Sequence, residues 1–232
     1  MDFKGWIRTS LIEYPEHIAS VLFCSGCDFR CPMCHNAHLL LESNTPVIEP
    51  EQIAEFVARR RGLVDGIVIS GGEPTLRPGL IPFLQQARSW KIDIKLDTNG
   101  YHPEVLQVLL NEKLVDYIAM DIKAPPEKYP ALTGVPAVDI NRIEKSMALI
   151  RASGLAYEFR TTVVPGSLSI EDIVKIAGWI QGAQCYILQQ FRPISTLDPA
   201  LQQLSPYPRQ LLYQMANAAK PFVELVRVRG IE

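Results

Sequence analysis

Three cysteines lie close together near the amino terminus, at Cys27, Cys31 and Cys34. Their C-x3-C-x2-C spacing places three thiolates on one short loop. Thiolate is a soft ligand that suits iron–sulfur clusters and zinc. Three thiolates can hold three corners of a [4Fe–4S] cube, which leaves the fourth iron without a protein ligand. The spacing therefore predicts a reactive cluster with one open iron.

A fourth cysteine, Cys24, leaves two other interpretations of this loop open. It could complete a structural zinc site, although zinc sites usually pair two C-x2-C clips that are distant in sequence. It could also close a ferredoxin-like cluster that only carries electrons. We interpret Cys24 instead as a small buried residue at the end of a strand, and Cys185, in an apolar segment, as inert core.

Three polar motifs follow the cysteines, at Gly71–Pro74, Asp97–Gly100 and Asp121–Lys123. Glycine lets the backbone approach a ligand closely, and Glu73 can accept a hydrogen bond from an ammonium group. The other two motifs supply carboxylates, which repel each other unless a cation lies between them. Each motif alone would be an ordinary turn or helix cap. A ligand-binding site is favoured because all three motifs occupy the same kind of position in the predicted fold.

A regular alternation of strands and helices positions these motifs. Strands are predicted at Ile18–Phe23, Gly66–Ser70, Ile92–Leu96, Val115–Met120, Tyr157–Val164, Cys185–Gln190 and Val223–Val228. Helices are predicted at Pro50–Arg61, Leu80–Trp90, Pro103–Glu112, Ile140–Ser153, Ile170–Gln181 and Gln210–Ala219. The first six strands make six β/α units, so we expect an α/β fold with a parallel sheet and helices outside it. Six units instead of eight predict an open, partial (β/α)6 TIM-type barrel.

The cysteines and the three polar motifs each follow the carboxyl end of a predicted strand. Because active sites of α/β barrels gather at that face, the four motifs are expected to converge. We expect a single domain, with an extension at residues 1–17, the barrel core at 18–192, and a helix and strand at 193–232. The stretch Ala124–Val138 is rich in Pro and Gly, and we interpret it as a functional loop.

Composition narrows the class of protein. The chain has 232 residues, 47% of them apolar, and a net charge of −2, which gives no reason to expect nucleic acid or a membrane as partner. The apolar runs are only as long as strands, and the first residues lack a basic segment followed by an apolar one. We therefore expect a cytoplasmic protein, in which clustered cysteines stay reduced and favour metal over disulfides.

The cysteine spacing resembles that of the radical S-adenosylmethionine (SAM) superfamily. The resemblance implies that Cys27, Cys31 and Cys34 hold a [4Fe–4S] cluster whose open iron is chelated by the amino and carboxylate groups of SAM. It further implies that one electron breaks a C–S bond of SAM and that the resulting 5′-deoxyadenosyl radical abstracts hydrogen. Met33 stands where the superfamily usually has an aromatic residue near the adenine.

The polar motifs are similar to those of glycyl-radical-enzyme activases such as the pyruvate formate-lyase activating enzyme. The SAM-binding residues implied by this resemblance are Gly71, Gly72, Glu73, Asp97, Asn99 and Lys123. The implied ligands of a monovalent cation near the SAM carboxylate are Asp97, Thr98 and Asp121. Four residues are lesser candidates. Arg160 could point either into the barrel or outward, and Gln189 and Gln190 could contact the adenine. His35 is expected to form a hydrogen bond with the backbone.

The segments Gly5–Pro15 and Phe23–Asn36 look like those of anaerobic ribonucleoside-triphosphate reductase activating proteins. This resemblance extends to about Arg192 and implies that the substrate is a glycine α-hydrogen on a partner reductase. It also implies a low-potential electron donor such as flavodoxin or ferredoxin. Two alternatives remain: a small-molecule enzyme resembling 7-carboxy-7-deazaguanine synthase, which would need polar groups at the barrel floor, and a ferredoxin-like electron carrier without enzymatic activity.

Overall fold

The structure is a computed structural model that describes residues 1–40 and 45–231. The strands of the described part are β1 (Phe3–Ser10), β2 (Ala19–Cys24), β3 (Gly66–Gly71), β4 (Asp93–Thr98), β5 (Tyr117–Asp121), β6 (Ala156–Val163), β7 (Tyr186–Gln190) and β8 (Val226–Arg229). Its helices are α1 (Ala37–Leu40), α2 (Pro50–Arg59), α3 (Leu80–Arg88), α4 (Pro103–Asn111), α5 (Tyr129–Thr133), α6 (Ile140–Ala152), α7 (Ile170–Trp179) and α8 (Arg209–Ala219).

The described strands form one sheet in the order β1 to β8, with β1 and β8 at its two edges. All neighbours from β2 to β8 are parallel, as in β2–β3 and β7–β8. Helices lie between successive parallel strands, so the predicted α/β class with a partial, TIM-type barrel is confirmed. Because the edge strands do not pair, the barrel is open along one side.

The two ends of the chain differ from the sequence prediction. Residues 1–17 were expected to be an extension, but Phe3–Ser10 pairs antiparallel with β2 and belongs to the sheet. The last strand was expected at Val223–Val228; it is observed at Val226–Arg229 and pairs with β7, so seven parallel strands are present among the described residues. Pairing between strands depends on contacts across the sheet that local sequence patterns do not specify.

The segment Ala124–Val138 contains the short helix α5 and is folded against the cysteine loop. The Arg30 N–H donates to the carbonyl of Thr133 at 2.7 Å. Gly134 has a φ of 66°, and a Cβ there would lie 2.5 Å from the Arg30 carbonyl oxygen. The close approach of two backbones explains the glycine, and the segment acts as a support for the cysteine loop.

The inner face of the sheet, which we call the lumen, changes character across the barrel. On β2 and β3 the buried residues Val21 and Val68 make it apolar, and Tyr14 packs against them. On β4 to β6 and β8 the lumen carries charged side chains that pair with one another. The outer face packs on the helices and forms the main core. Within the described residues, no helix has the length and apolarity needed to cross a membrane.

Candidate active site

A cavity of about 330 Å³ opens where the carboxyl ends of the strands meet. Its lining includes all the main candidates for the cluster, SAM and the cation: Cys27, Cys31, Met33, Cys34, Gly71, Gly72, Glu73, Asp97, Thr98, Asn99, Asp121 and Lys123. The structure therefore brings the four motifs to one place, at the face expected for an α/β barrel. The role of each residue stays a prediction.

The three cysteines of the loop share the wall of this cavity. Burial raises the pKa of the Cys31 thiol to about 11, although nearby Lys123 acts in the opposite direction. Burial also raises the pKa of Cys27, whose sulfur accepts a hydrogen bond from the Phe29 N–H at 3.4 Å. Such thiols need a metal to replace their protons, so this soft donor set fits an iron–sulfur cluster.

No group of three or more Cys, His, Asp or Glu side chains in the described residues is gathered as the ligand set of one metal ion. A four-iron cluster attaches each cysteine to a different iron. Its thiolates are therefore spread more widely than the ligands of a single ion.

The other two cysteines, Cys24 and Cys185, are not among the described residues that line the cavity. Cys24 is fully buried in the core at the end of β2, as expected, and burial raises its pKa to about 12. Cys185 was expected inside a strand as core, but it is only partly buried and precedes β7, which begins at Tyr186.

Gly71 and Gly72 hold the end of β3 against the cysteine loop. The Gly72 N–H donates to the Cys24 carbonyl at 2.9 Å, and the Glu73 N–H donates to the Gly26 carbonyl at 2.8 Å. A Cβ on Gly72 would lie only 1.9 Å from the Gly26 oxygen. The chain itself therefore requires glycine at position 72, independently of any ligand.

The Glu73 carboxylate is buried and connects the ends of β3 and β4. It accepts hydrogen bonds from the Thr98 hydroxyl at 2.8 Å, from the Asn99 N–H at 2.6 Å, and from both the N–H and the hydroxyl of Thr75. Burial outweighs these hydrogen bonds and raises the Glu73 pKa. Glu73 thus positions Thr98 and Asn99; contact with an ammonium group stays a prediction.

Arg160 points into the lumen and lies between the two acidic motifs. Its Nε donates to Asp121 at 2.8 Å, and its NH1 lies 3.3 Å from Asp97. Lys95 also contacts Asp97, at 2.6 Å, and Lys123 contacts Asp121, at 2.9 Å. Burial opposes ionisation of both carboxyls, but the cationic neighbours outweigh it and keep the pKa of Asp97 and of Asp121 below the usual value.

A polar group that the sequence analysis missed lies beside Cys27. Asp28 accepts hydrogen bonds from the Asn99 amide at 2.9 Å and from His102 Nε2 at 2.9 Å. The hydrogen bond to Asp28 raises the pKa of His102. These residues are more than 70 positions apart in sequence, so only the folded chain reveals the contact. Together they fix the Asn99 side chain next to the cysteine loop.

The barrel floor also contains polar groups that the sequence analysis did not locate. Glu158 is buried and accepts two hydrogen bonds from Arg229, both at 2.7 Å, and one from the Tyr117 hydroxyl at 3.1 Å. Residue spacing could have indicated them, because Glu158 precedes Arg160 by two positions and therefore shares its face of the strand. These groups bind one another, which gives no specific support to a small-molecule substrate.

The lesser candidates divide between the cavity and its surroundings. Gln189 lines the cavity, whereas the Gln190 amide donates to the Tyr207 carbonyl at 2.7 Å. His35 also lines the cavity, and its Nε2 lies 2.8 Å from the Arg192 carbonyl oxygen, which is the backbone contact expected for it.

Comparisons with known proteins identify the family of this chain. Residues 21–180 match the model of the radical SAM superfamily. A protein of Methanocaldococcus jannaschii named "putative glycyl-radical enzyme activating enzyme" is 34% identical over 98% of this chain and 95% of its own length. The pyruvate formate-lyase-activating enzyme of Clostridium pasteurianum is 28% identical over 81% of this chain and 79% of its own length.

A solved structure supports the fold. The structure of Streptococcus suis SuiB bound to precursor peptide SuiA superposes with a TM-score of 0.69 at 14% identity, over 90% of this chain. The chain spans about half the length of that protein, 48%. The chain belongs to the radical SAM superfamily of enzymes, and nearly its whole length is similar to the archaeal relative.

Proposed function

We propose that Cys27, Cys31 and Cys34 hold a [4Fe–4S] cluster and that SAM binds at its open iron. The observation that carries this proposal is the shared cavity, which is lined by these three cysteines and by the end of each strand from β3 to β7. Cys24 is buried in the core instead, which supports a three-cysteine ligand set over a closed one.

The residues around the cysteines have separate tasks in this proposal. Gly72 and Glu73 hold the cysteine loop against β3, and Met33 gives the adenine an apolar neighbour. Lys123 and Arg160 offer positive charge to the SAM carboxylate. A reduced cluster held by the three cysteines would supply the one electron needed to cleave SAM into methionine and a 5′-deoxyadenosyl radical, and this radical would take a hydrogen atom from the substrate.

The substrate in this proposal is the α-hydrogen of a glycine in a partner glycyl radical enzyme, with anaerobic ribonucleoside-triphosphate reductase as the first candidate. Support comes from the full-length similarity to the archaeal relative and from the segments Gly5–Pro15 and Phe23–Asn36. The open side of the barrel gives a protein loop a route to the cavity. A low-potential flavodoxin or ferredoxin would supply the electron.

Matched cysteine variants test the cluster assignment. Anaerobically reconstituted protein is expected to bind one [4Fe–4S] cluster and, with dithionite, to convert SAM to 5′-deoxyadenosine. Cys31→Ala should lose SAM cleavage, while Cys24→Ala should keep the cluster and the cleavage. Full turnover by Cys31→Ala, or loss of the cluster in Cys24→Ala, would contradict the three-cysteine assignment.

Electron paramagnetic resonance tests the substrate. After SAM and reductant are added to this protein and an anaerobic reductase from the same organism, we expect the doublet of a glycyl radical. The Cys31→Ala protein is the control and should give no doublet. SAM cleavage without a doublet on any glycyl radical enzyme of that organism would refute activation, while leaving SAM cleavage intact.

A further inference from the structure

The cation between the two acidic motifs is a side chain of the protein. Arg160 extends from β6 to contact both Asp121 on β5 and Asp97 on β4, at 2.8 Å and 3.3 Å. Its side chain is only 12% exposed. Like charges on neighbouring strands need a cation between them, and the guanidinium of Arg160 occupies that place.

A second buried cation, the ammonium group of Lys95, contacts Asp97. Lys95 lies two positions before Asp97 on β4, and its Nζ lies 2.6 Å from Asp97 Oδ1. The Lys95 side chain is 1% exposed. Besides Asp97, its described neighbours include the ring of Tyr117, whose centroid lies 6.0 Å from Nζ. A lysine enclosed in this way is held by its carboxylate.

The oxygens that the sequence proposed as cation ligands already have partners. Oδ1 of Asp97 accepts a hydrogen bond from Lys95. Its Oδ2 accepts a hydrogen bond from the Ser70 hydroxyl and forms an ion pair with Arg160. Oδ1 of Asp121 accepts a hydrogen bond from Arg160, and Oδ2 accepts one from Lys123.

The third proposed ligand, Thr98, is also engaged. Its hydroxyl donates to Glu73 and accepts from the Gly100 N–H at 3.0 Å. The arrangement therefore does not fit a metal cation held by Asp97, Thr98 and Asp121.

The charges lead to the same conclusion. Two carboxylates face three cationic side chains, Lys95, Lys123 and Arg160, which leaves one positive charge in excess. A potassium or sodium ion would add a further positive charge to a largely buried place, which is unfavourable. The carboxylate of SAM would instead balance the excess.

We propose that Arg160 and Lys95 replace the monovalent cation at this site, so that SAM binds with the same affinity whether or not a metal cation is available. The proposal rests on SAM binding as the function of the cavity. Lys95 is the side chain that makes the difference, because without its ammonium group Asp97 Oδ1 loses its cationic partner and the place of that group becomes free. A potassium ion could then take that place, and a variant without Lys95 should acquire a dependence on potassium.

Equilibrium dialysis of SAM tests this proposal on the reconstituted protein. Binding is measured at one ionic strength in potassium chloride, sodium chloride and choline chloride, so that screening is constant. The native protein should bind SAM with affinities that agree within about twofold in the three salts. Lys95→Met should bind at least about fivefold more tightly in potassium than in choline. Lys95→Arg, which keeps the charge, should respond like the native protein.

Thermal unfolding without SAM gives a second measurement that does not need enzymatic activity. A cation that binds only the folded state raises the Tm. Potassium in place of choline should raise the Tm of Lys95→Met and leave that of the native protein unchanged. If Lys95→Met does not fold, Lys95→Gln replaces it in this measurement, because glutamine keeps a hydrogen-bond donor near Asp97. Potassium should raise its Tm as well.

The outcomes separate this proposal from the proposed function. A native protein that needs potassium or sodium for SAM binding overturns the proposal, and so does an absence of any potassium response in both uncharged Lys95 variants. Failure of the native protein to bind SAM in all three salts would refute the proposed function instead. In that case the Tm comparison still decides whether Lys95 and Arg160 take the place of a metal cation.

Discussion

The two halves of the barrel lumen hold the site together by different means. On β2 and β3 the lumen is apolar, and the cysteine loop is fixed by contacts between backbones, as where Gly72 meets Gly26. On β4 to β6 and β8 the strands are joined across the lumen by ion pairs, as between Arg160 and Asp97, whose side chains are 12% and 11% exposed. One half is therefore sensitive to added volume, whereas the other is sensitive to a lost charge.

The contrast matches the task that we propose for each half. A loop that holds a cluster must keep its cysteines in fixed positions, and close packing of backbones, as between Gly72 and Gly26, contributes to this. A charged cosubstrate needs charged partners, and ion pairs hold these partners in place before it arrives. The boundary between the halves lies between β3 and β4, where Glu73 joins Thr98 and Asn99.

Removal of one member of a buried ion pair should have the largest effect. Arg229→Met leaves Glu158, which is 1% exposed, without its two hydrogen bonds from the guanidinium. We expect the free energy of unfolding, measured with urea, to fall by about 3 kcal/mol because a buried carboxylate loses its partner. The substitution should also weaken the attachment of β8 to the sheet.

The matched control for this change is the neighbouring exposed residue of the same strand, Arg227. Arg227→Met should change the free energy of unfolding by no more than about 0.5 kcal/mol. Equal effects of the two substitutions would show that the charged half does not depend on its buried pairs.

Added volume should have its effect in the other half. Gly72→Ala places a Cβ 1.9 Å from the Gly26 oxygen, so the cysteine loop must move. We expect a loss of about 1–3 kcal/mol in the free energy of unfolding and a lower iron content after reconstitution. Urea denaturation and iron analysis measure the two.

Gly178→Ala is the control for the glycine substitution. Gly178 lies inside α7, and a Cβ there meets its nearest atom at 3.9 Å, an ordinary contact. Alanine favours a helix over glycine by about 0.5–1 kcal/mol, so this variant should be more stable. A Gly72→Ala protein as stable and as iron-rich as Gly178→Ala would contradict the role given to backbone packing.

The sequence predicted the convergence of the motifs because each one follows a strand of a parallel sheet, and this geometry needs no knowledge of side-chain contacts. It left the direction of Arg160 open, although Arg160 lies two positions from Glu158 and Thr162 on one strand and all three share a face. The contact of Gly72 with Gly26 and that of Asp28 with His102 join distant segments. Such contacts depend on the exact path of loops, which spacing and periodicity do not determine.

The smallest effect is expected from the ion pair between His102 and Asp28, which lies at the boundary of the two halves. Its side chains are 17% and 20% exposed, so solvent weakens the pair. The hydrogen bond to Asp28 raises the pKa of His102 above its usual 6.5. Burial opposes ionisation of Asp28, but the hydrogen bonds from His102 and Asn99 outweigh it and lower the Asp28 pKa below its usual 3.8.

The signs of these shifts define a pH window. The stability from protonated His102 is complete below pH 6.5 and is lost as the pH rises through the raised pKa. The stability from ionised Asp28 is complete above pH 3.8 and is lost as the pH falls through the lowered pKa. The pair therefore contributes most between these values. His102→Gln should lower the free energy of unfolding by up to about 1 kcal/mol at pH 5.5 and by less at pH 8.5, and an equal or larger loss at pH 8.5 would show that the charge of His102 does not stabilise this boundary.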